Sequence, residues 1–129
     1  MSDPAFPVEV ISGVPVVTAP EEVDITNADG LRSALRQAAA HGHMTLVVDM
    51  ARTQFCDTAG LHALVAAHKR AQAGGGRLLL VMGGAAVLRI LAITGLDRVI
   101  PHFTSLEQAL THASAAPPSD PDRGTPAAR

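Results

Sequence analysis

The chain is expected to fold as an α/β layer built on a mixed sheet of four to five strands with about four helices. Three observations predict this. After an opening hairpin, strand-like and helix-like segments alternate along the 129 residues, the order that argues an α/β layer with a mixed sheet. Leu46 to Asp49 is a continuous apolar run ending in a carboxylate, the signature of a strand covered on both sides or lying centrally. An apolar fraction of 47% in a chain of this length suffices for one packed core and a single domain.

The elements follow in order. Val8 to Ile11 and Val14 to Thr18 are β-rich runs split by Ser12-Gly13, a two-residue hairpin turn. From about Thr26 to Ala40, Ala28, Leu31, Ala34 or Leu35, and Ala38 recur at helical spacing, with Gly42 as the stop. Leu46 to Asp49 is a central strand. A helix opens at Thr58, where Leu61, Leu64, Val65 and His68 fall on one stripe, and Gly74-Gly75-Gly76 closes it. Arg77 to Met82 is the next strand. Ala85 to Thr94 is a helix ended by Gly95 with apolar Leu96 beyond, the order of a Schellman cap. Arg98 to Ile100 is long enough only for an edge strand. Thr104 starts a last helix reaching about His112, with Glu107 three residues on completing a capping box.

From Ser114 onward the chain reads SAAPPSDPDRGTPAAR, rich in proline and without a large apolar residue. Such a segment cannot bury enough surface to order itself. Residues 1–113 are therefore read as the domain and 114–129 as a disordered tail.

Composition excludes several classes of function. A net charge of -2 and no basic cluster give no general attraction for nucleic acid or anionic membranes. The three aromatic residues, Phe6, Phe55 and Phe103, supply no base-stacking platform. Cys56 is the one cysteine, so no internal disulfide and no CxxC site exists. No apolar run approaches the ~20 residues that span a bilayer, and no signal sequence opens the chain. These features fit a cytoplasmic protein. His41 and His43 lack a third ligand at useful spacing, and His62 and His68 fall on different helix faces, so no metal is expected. The glycine pairs and triplets lack the Gly-Lys-Ser/Thr ending of a phosphate loop and read as turns. No cofactor is expected.

The informative stretch is LVVDMARTQFCDTAGLHAL, Leu46 to Leu64. It runs strand, polar loop, then Asp57-Thr58-Ala59-Gly60 at a helix start. Asp57 suits the N-cap, which puts Thr58 at the first helical position with its hydroxyl outward. A helix N-terminus has unpaired N–H groups and partial positive charge, so a phosphate on Thr58 would find donors there. Asp49 ends its strand and suits a turn cap, and Cys56 suits a small buried thiol. The loop after Thr18, with Asp24, and the loop after Asp49, with Asp57 and Thr58, should open at the same edge of the sheet.

This stretch and its flanks resemble the STAS domain, the fold shared by anti-sigma factor antagonists and the cytoplasmic tails of sulfate transporters. In the antagonists a strand leads to Asp-Ser-Ser-Gly-Leu, matched here by Asp57, Thr58, Ala59, Gly60 and Leu61. Glu22-Val23-Asp24, with Thr26 two residues on, resembles the family's Gly-Glu-Leu-Asp element. The segment from Gly74 to Leu110 resembles its closing strand, helix, short strand and helix. Threonine stands at position 58 where serine is usual, and Pro20-Glu21 stands where glycine is usual.

The resemblance implies a partner switch. The face around Thr58 would bind an anti-sigma factor that is a histidine-kinase-like ATPase and Ser/Thr kinase, freeing a sigma factor. Phosphorylation of Thr58 would end binding, and a phosphatase would restore it. Asp57, Asp24, Thr26, Ala59 and Gly60 are the expected supporting and partner-binding residues, with Asp57 also orienting the Thr58 hydroxyl. The protein would not be an enzyme. One alternative is a STAS module of a signalling scaffold without sigma control. Another, of a different class, is a small hydrolase or transferase with Cys56 or Thr58 as nucleophile and a histidine as base.

Overall fold

A computed structural model of the chain describes residues 5–40 and 45–114. Seven strands and four helices form in chain order: β1 Val8–Ile11, β2 Val14–Thr18, β3 Glu22–Val23, α1 Ala28–Ala39, β4 Thr45–Met50, β5 Phe55–Cys56, α2 Thr58–Ala73, β6 Arg77–Met82, α3 Ala85–Thr94, β7 His102–Phe103 and α4 Leu106–Ser114. The main sheet has the order β1-β2-β4-β6-β7. Only β1–β2 is antiparallel; β2–β4, β4–β6 and β6–β7 are parallel. The sheet is therefore mixed and α/β, as the alternation of segments predicts.

The hairpin turn forms as Ser12-Gly13 suggests. Both residues take positive φ, 53° and 81°, the primed-turn backbone whose twist matches the flanking strands. Pro15, which has no N–H, faces Val10 of β1, and the ladder to β4 starts only at Val16.

The period-two geometry of the central strands sorts their side chains between two cores. Leu46, Val48 and Met50 of β4, with Leu78, Leu80 and Met82 of β6, face α1, α2 and α3 in the larger core. Val47, Leu79 and Val81 point the other way, onto Ala109 and its neighbours on α4. Helices thus cover both faces, which is why these strands carry no alternating polar positions. Helix α1 buries Ala28, Leu31, Ala34, Leu35 and Ala38, so both alternatives at the 34/35 step face inward.

Helix α2 buries Leu61, Leu64 and His68 as expected, but Val65 is only part-buried and small residues complete the stripe: Gly60, Ala63, Ala67 and Ala71. Among the described residues, neither ring nitrogen of His68 has a hydrogen-bond partner. Helix α3 ends as predicted, with Gly95 left-handed at φ 81° and its N–H bonded to Ala92 O.

Two local expectations fail. Residues Leu96–Arg98 form a 3-10 turn, and the edge strand falls at His102–Phe103 instead of 98–100. Ile100 is fully buried in the main core, and the bond that continues the edge comes after it, from Leu80 N–H to Pro101 O at 3.0 Å. The cap of α4 is also displaced by one residue. Ser105 Oγ accepts from Gln108 N–H at 3.1 Å, while the Gln108 side chain reaches back to the Thr104 N–H and hydroxyl. Ser105 thus caps α4 in place of Thr104, and the Gln108 side chain takes the reach-back role expected of Glu107, accepting from the residue before the cap rather than from the cap's own N–H. Gly42, His41, His43 and the segment 115–129 lie outside the described residues.

Candidate functional site

Because β2 and β4 are parallel neighbours, the chain leaves both at the same edge of the sheet. The two departing segments pair a second time. Glu22 faces Phe55 and Val23 faces Cys56 in a short parallel ribbon, β3–β5. Ala19 N–H bonds to Asp49 O, Gln54 N–H and Phe55 N–H both bond to Glu21 O, and Asp57 N–H bonds to Val23 O at 3.0 Å. Thr53, fully buried, donates its hydroxyl to Pro20 O at 2.8 Å. The loop carrying Asp24 and the loop carrying Asp57 and Thr58 are thereby one unit, as their common edge leads one to expect. Asp49 caps its own turn, accepting from Ala51 N–H at 3.0 Å.

The ribbon delivers the chain to α2 in extended conformation at Asp57, φ -93° and ψ -174°. Asp57 Oδ1 accepts from the N–H groups of Ala59 at 2.9 Å and Gly60 at 3.3 Å, a true N-cap. Thr58 is the first helical residue and its side chain is exposed. Gly60 is buried against the ribbon, where an added Cβ would lie 2.7 Å from both Cys56 Sγ and Val23 Cγ1. The helix start sits that close to β3 and β5 only because residue 60 has no side chain.

Two details differ from the expectation. The Asp57 carboxylate accepts from backbone N–H groups, and among the described residues it makes no hydrogen bond with the Thr58 hydroxyl. The helix mouth is also less open than a bare N-terminus. From Asp57 to Leu61, every N–H has a protein acceptor among the described residues except that of Thr58. A phosphate on Thr58 would meet that one donor and would compete with Asp57 for the others.

Asp57 has a second function. Its Oδ2 accepts from Ile25 N–H at 3.1 Å, joining the turn after β3 to the start of α2. That turn is built from its own side chains. Asp24 Oδ1 accepts from Thr26 N–H and from the Thr26 hydroxyl, and Asp24 N–H donates to Asn27 Oδ1. Asn27 in turn donates from Nδ2 to Glu22 O. The Thr26 hydroxyl, and after it the Thr26 N–H, stabilise the Asp24 carboxylate and hold its pKa below the ordinary value. Asp24 and Thr26 thus shape the turn, and their link to Thr58 runs through Ile25 and Asp57. Asn27 and Thr53 are structural partners that sequence reasoning missed; no spacing marks them.

Cys56 is buried, and burial together with the neighbouring Asp57 charge pushes its thiol up to about 11. It stays protonated at neutral pH, with Sγ 3.7 Å from Asp57 O. No imidazole hydrogen-bonds to Cys56 or Thr58 among the described residues. The geometry presents an exposed hydroxyl on a surface rather than a nucleophile beside a base, which suits recognition and modification by another protein.

Comparison with known proteins agrees with this arrangement. A family model described as the STAS domain matches residues 5–109. RsfB of Mycobacterium tuberculosis, an anti-sigma-F factor antagonist, is 28% identical over 100 residues, which cover 78% of this chain and 81% of that protein. The crystal structure of an anti-sigma factor antagonist from Mycobacterium paratuberculosis superposes with a TM-score of 0.77 at 31% identity, covering 88% of this chain and 98% of that one. The Bacillus cell fate determinant SpoIIAA, in its phosphorylated form, shares the fold at 21% identity and a TM-score of 0.66, covering 84% of this chain and 98% of that one.

Proposed function

The chain belongs to the STAS domain family, and from that premise we propose that it is an anti-sigma factor antagonist switched at Thr58. The observation that carries the reading is the exposed Thr58 hydroxyl at the first turn of α2, on a hydrogen-bonded unit formed by Asp57 and the β3–β5 ribbon. The relatives named as antagonists support the regulatory role.

With Thr58 unmodified, this face docks on an anti-sigma factor of the histidine-kinase-like ATPase type, and the sigma factor is released. The same partner then transfers a phosphoryl group. The Thr58 oxygen forms a bond to the γ-phosphorus of ATP, the bond to the leaving ADP breaks, and the hydroxyl proton passes to a base of the kinase. A phosphatase reverses the modification by hydrolysis.

Phosphothreonine adds about -1.5 to -2 charges beside Asp57. A partner that closes over this face must then desolvate the new charge next to an existing carboxylate, and every ~1.4 kcal/mol lost is a tenfold drop in affinity. Binding of the Thr58→Ala and Thr58→Glu chains to the ATPase tests the reading. Thr58→Ala should bind like the unmodified protein and escape regulation, whereas Thr58→Glu should bind at least tenfold more weakly. Equal affinity of the two variants would contradict the switch.

A further inference from the structure

We propose that the exposed turn Asp24 to Asn27 is a second recognition element of the Thr58 face, with Ile25 as its apolar anchor and Asp57 as the residue that positions it. The inference rests on the reading of that face as the docking surface for an anti-sigma factor.

Ile25, in the turn after β3, is 79% exposed, and Phe55, which pairs with Glu22, is 46% exposed. A single exposed apolar side chain needs no explanation. What distinguishes Ile25 is that its backbone is fully held. The N–H groups of residues 24, 25, 26 and 27 bond in turn to Asn27 Oδ1, Asp57 Oδ2, Asp24 Oδ1 and Asp24 O. A turn with every N–H satisfied carries its tip in one pose, and pre-organised contacts cost less to bind than mobile ones.

The surroundings specify the chemistry of the partner. The segments 19–27 and 51–57 carry four carboxylates, Glu21, Glu22, Asp24 and Asp57, against one basic residue, Arg52. Glu21 and Glu22 are exposed and the Thr26 bonds keep Asp24 ionised. The complementary surface is an apolar recess for Ile25 with a basic rim, carried by the same protein that reaches Thr58.

Asp57 couples the two parts. One of its oxygens is committed to α2 and the other to Ile25. Negative charge added at Thr58 repels that carboxylate and competes for the Ala59 and Gly60 N–H groups. A carboxylate displaced from its cap loses Ile25 N–H as well, so modification of Thr58 loosens the anchor in addition to repelling the partner.

Two measurements on the full-length chain test this. The first is amide hydrogen exchange of the free protein by NMR. Asp57→Ser keeps an N-cap hydroxyl but has no second acceptor, so Ile25 should exchange about tenfold faster while Gly60 stays protected. Unchanged protection of Ile25 would overturn the positioning role. The second is affinity for the ATPase, with Thr58 unmodified. Ile25→Ser should weaken binding about tenfold, as loss of an interface anchor does, while Val10→Ser, at a 57% exposed apolar site on β1, should leave it unchanged. Equal affinity of the Ile25→Ser and wild-type chains would overturn the anchor. If the wild-type chain bound no histidine-kinase-like ATPase, the proposed function and the anchor would both fall, and the exchange data would still decide the positioning role alone.

Discussion

Gly60 and Cys56 approach so closely that a methyl group on residue 60 would stand 2.7 Å from the Cys56 sulfur. The first turn of α2 therefore rests directly on the β3–β5 ribbon, and this contact fixes where Thr58 is displayed. Gly60→Ala should destabilise the domain by about 1–3 kcal/mol, the usual cost of overpacking, despite the better helix propensity of alanine. Chemical denaturation measures it. Because Val23 Cγ1 is equally near, adding Cys56→Ala should recover only part of the loss.

Asp57 caps α2 and ties down Ile25, so Asp57→Ala removes acceptors from three N–H groups. A loss of about 1–2 kcal/mol is expected, at the upper end for an N-cap. Asp57→Ser should lose clearly less, since serine still caps. The difference between the two unfolding midpoints checks it.

The Cys56 thiol gives a pH signature. Its pKa rises from 9.0 to about 11 on folding, through burial first and the Asp57 charge second. The unfolded chain then releases its thiol proton before the folded one does. Stability from this group is intact below about 9 and declines as pH rises towards 11. Cys56→Ala should flatten that part of the stability curve. Thiol reagents should label the folded wild-type chain slowly at pH 8 and the unfolded chain quickly.

His68 acts at the other end of the pH scale. It is buried, both ring nitrogens lack partners among the described residues, and burial lowers its pKa below the ordinary 6.5. Below that value the unfolded state binds the proton more readily, so folding stability falls as pH drops through 6.5. Replacing an unpaired buried polar group with an apolar one of similar size should stabilise. His68→Leu is expected to gain about 1 kcal/mol at pH 7 and to lessen the loss on acidification, as thermal unfolding at pH 7 and pH 5.5 would show.

The sequence carried the parts of this structure that depend on local pattern. Leu46 to Asp49 could be read as a covered or central strand because Leu46, Val47 and Val48 are consecutive apolar residues, and Gly95 marked the end of α3 because a glycine followed by apolar Leu96 suits a left-handed cap. The ribbon β3–β5 escaped because two residues per strand establish no period. The 3-10 turn at Leu96–Arg98 escaped because Val99 and Ile100 look like strand residues, although Ile100 is spent on the core. At the site, the capping role of Asp57 followed from residue type and position. The bond from Ile25 to Asp57, the bond from Thr53 to Pro20 and the need for glycine at position 60 join segments far apart in the chain, and no short-range signal encodes them.

The proposed switch requires phosphorylation at Thr58. It is tested most directly by incubating the purified chain with ATP and each histidine-kinase-like ATPase of its own genome, followed by intact mass and peptide mapping. A mass gain of one phosphoryl group, located on Thr58 and absent from Thr58→Ala, is expected. Stable binding to such an ATPase with no phosphate on Thr58 would contradict it.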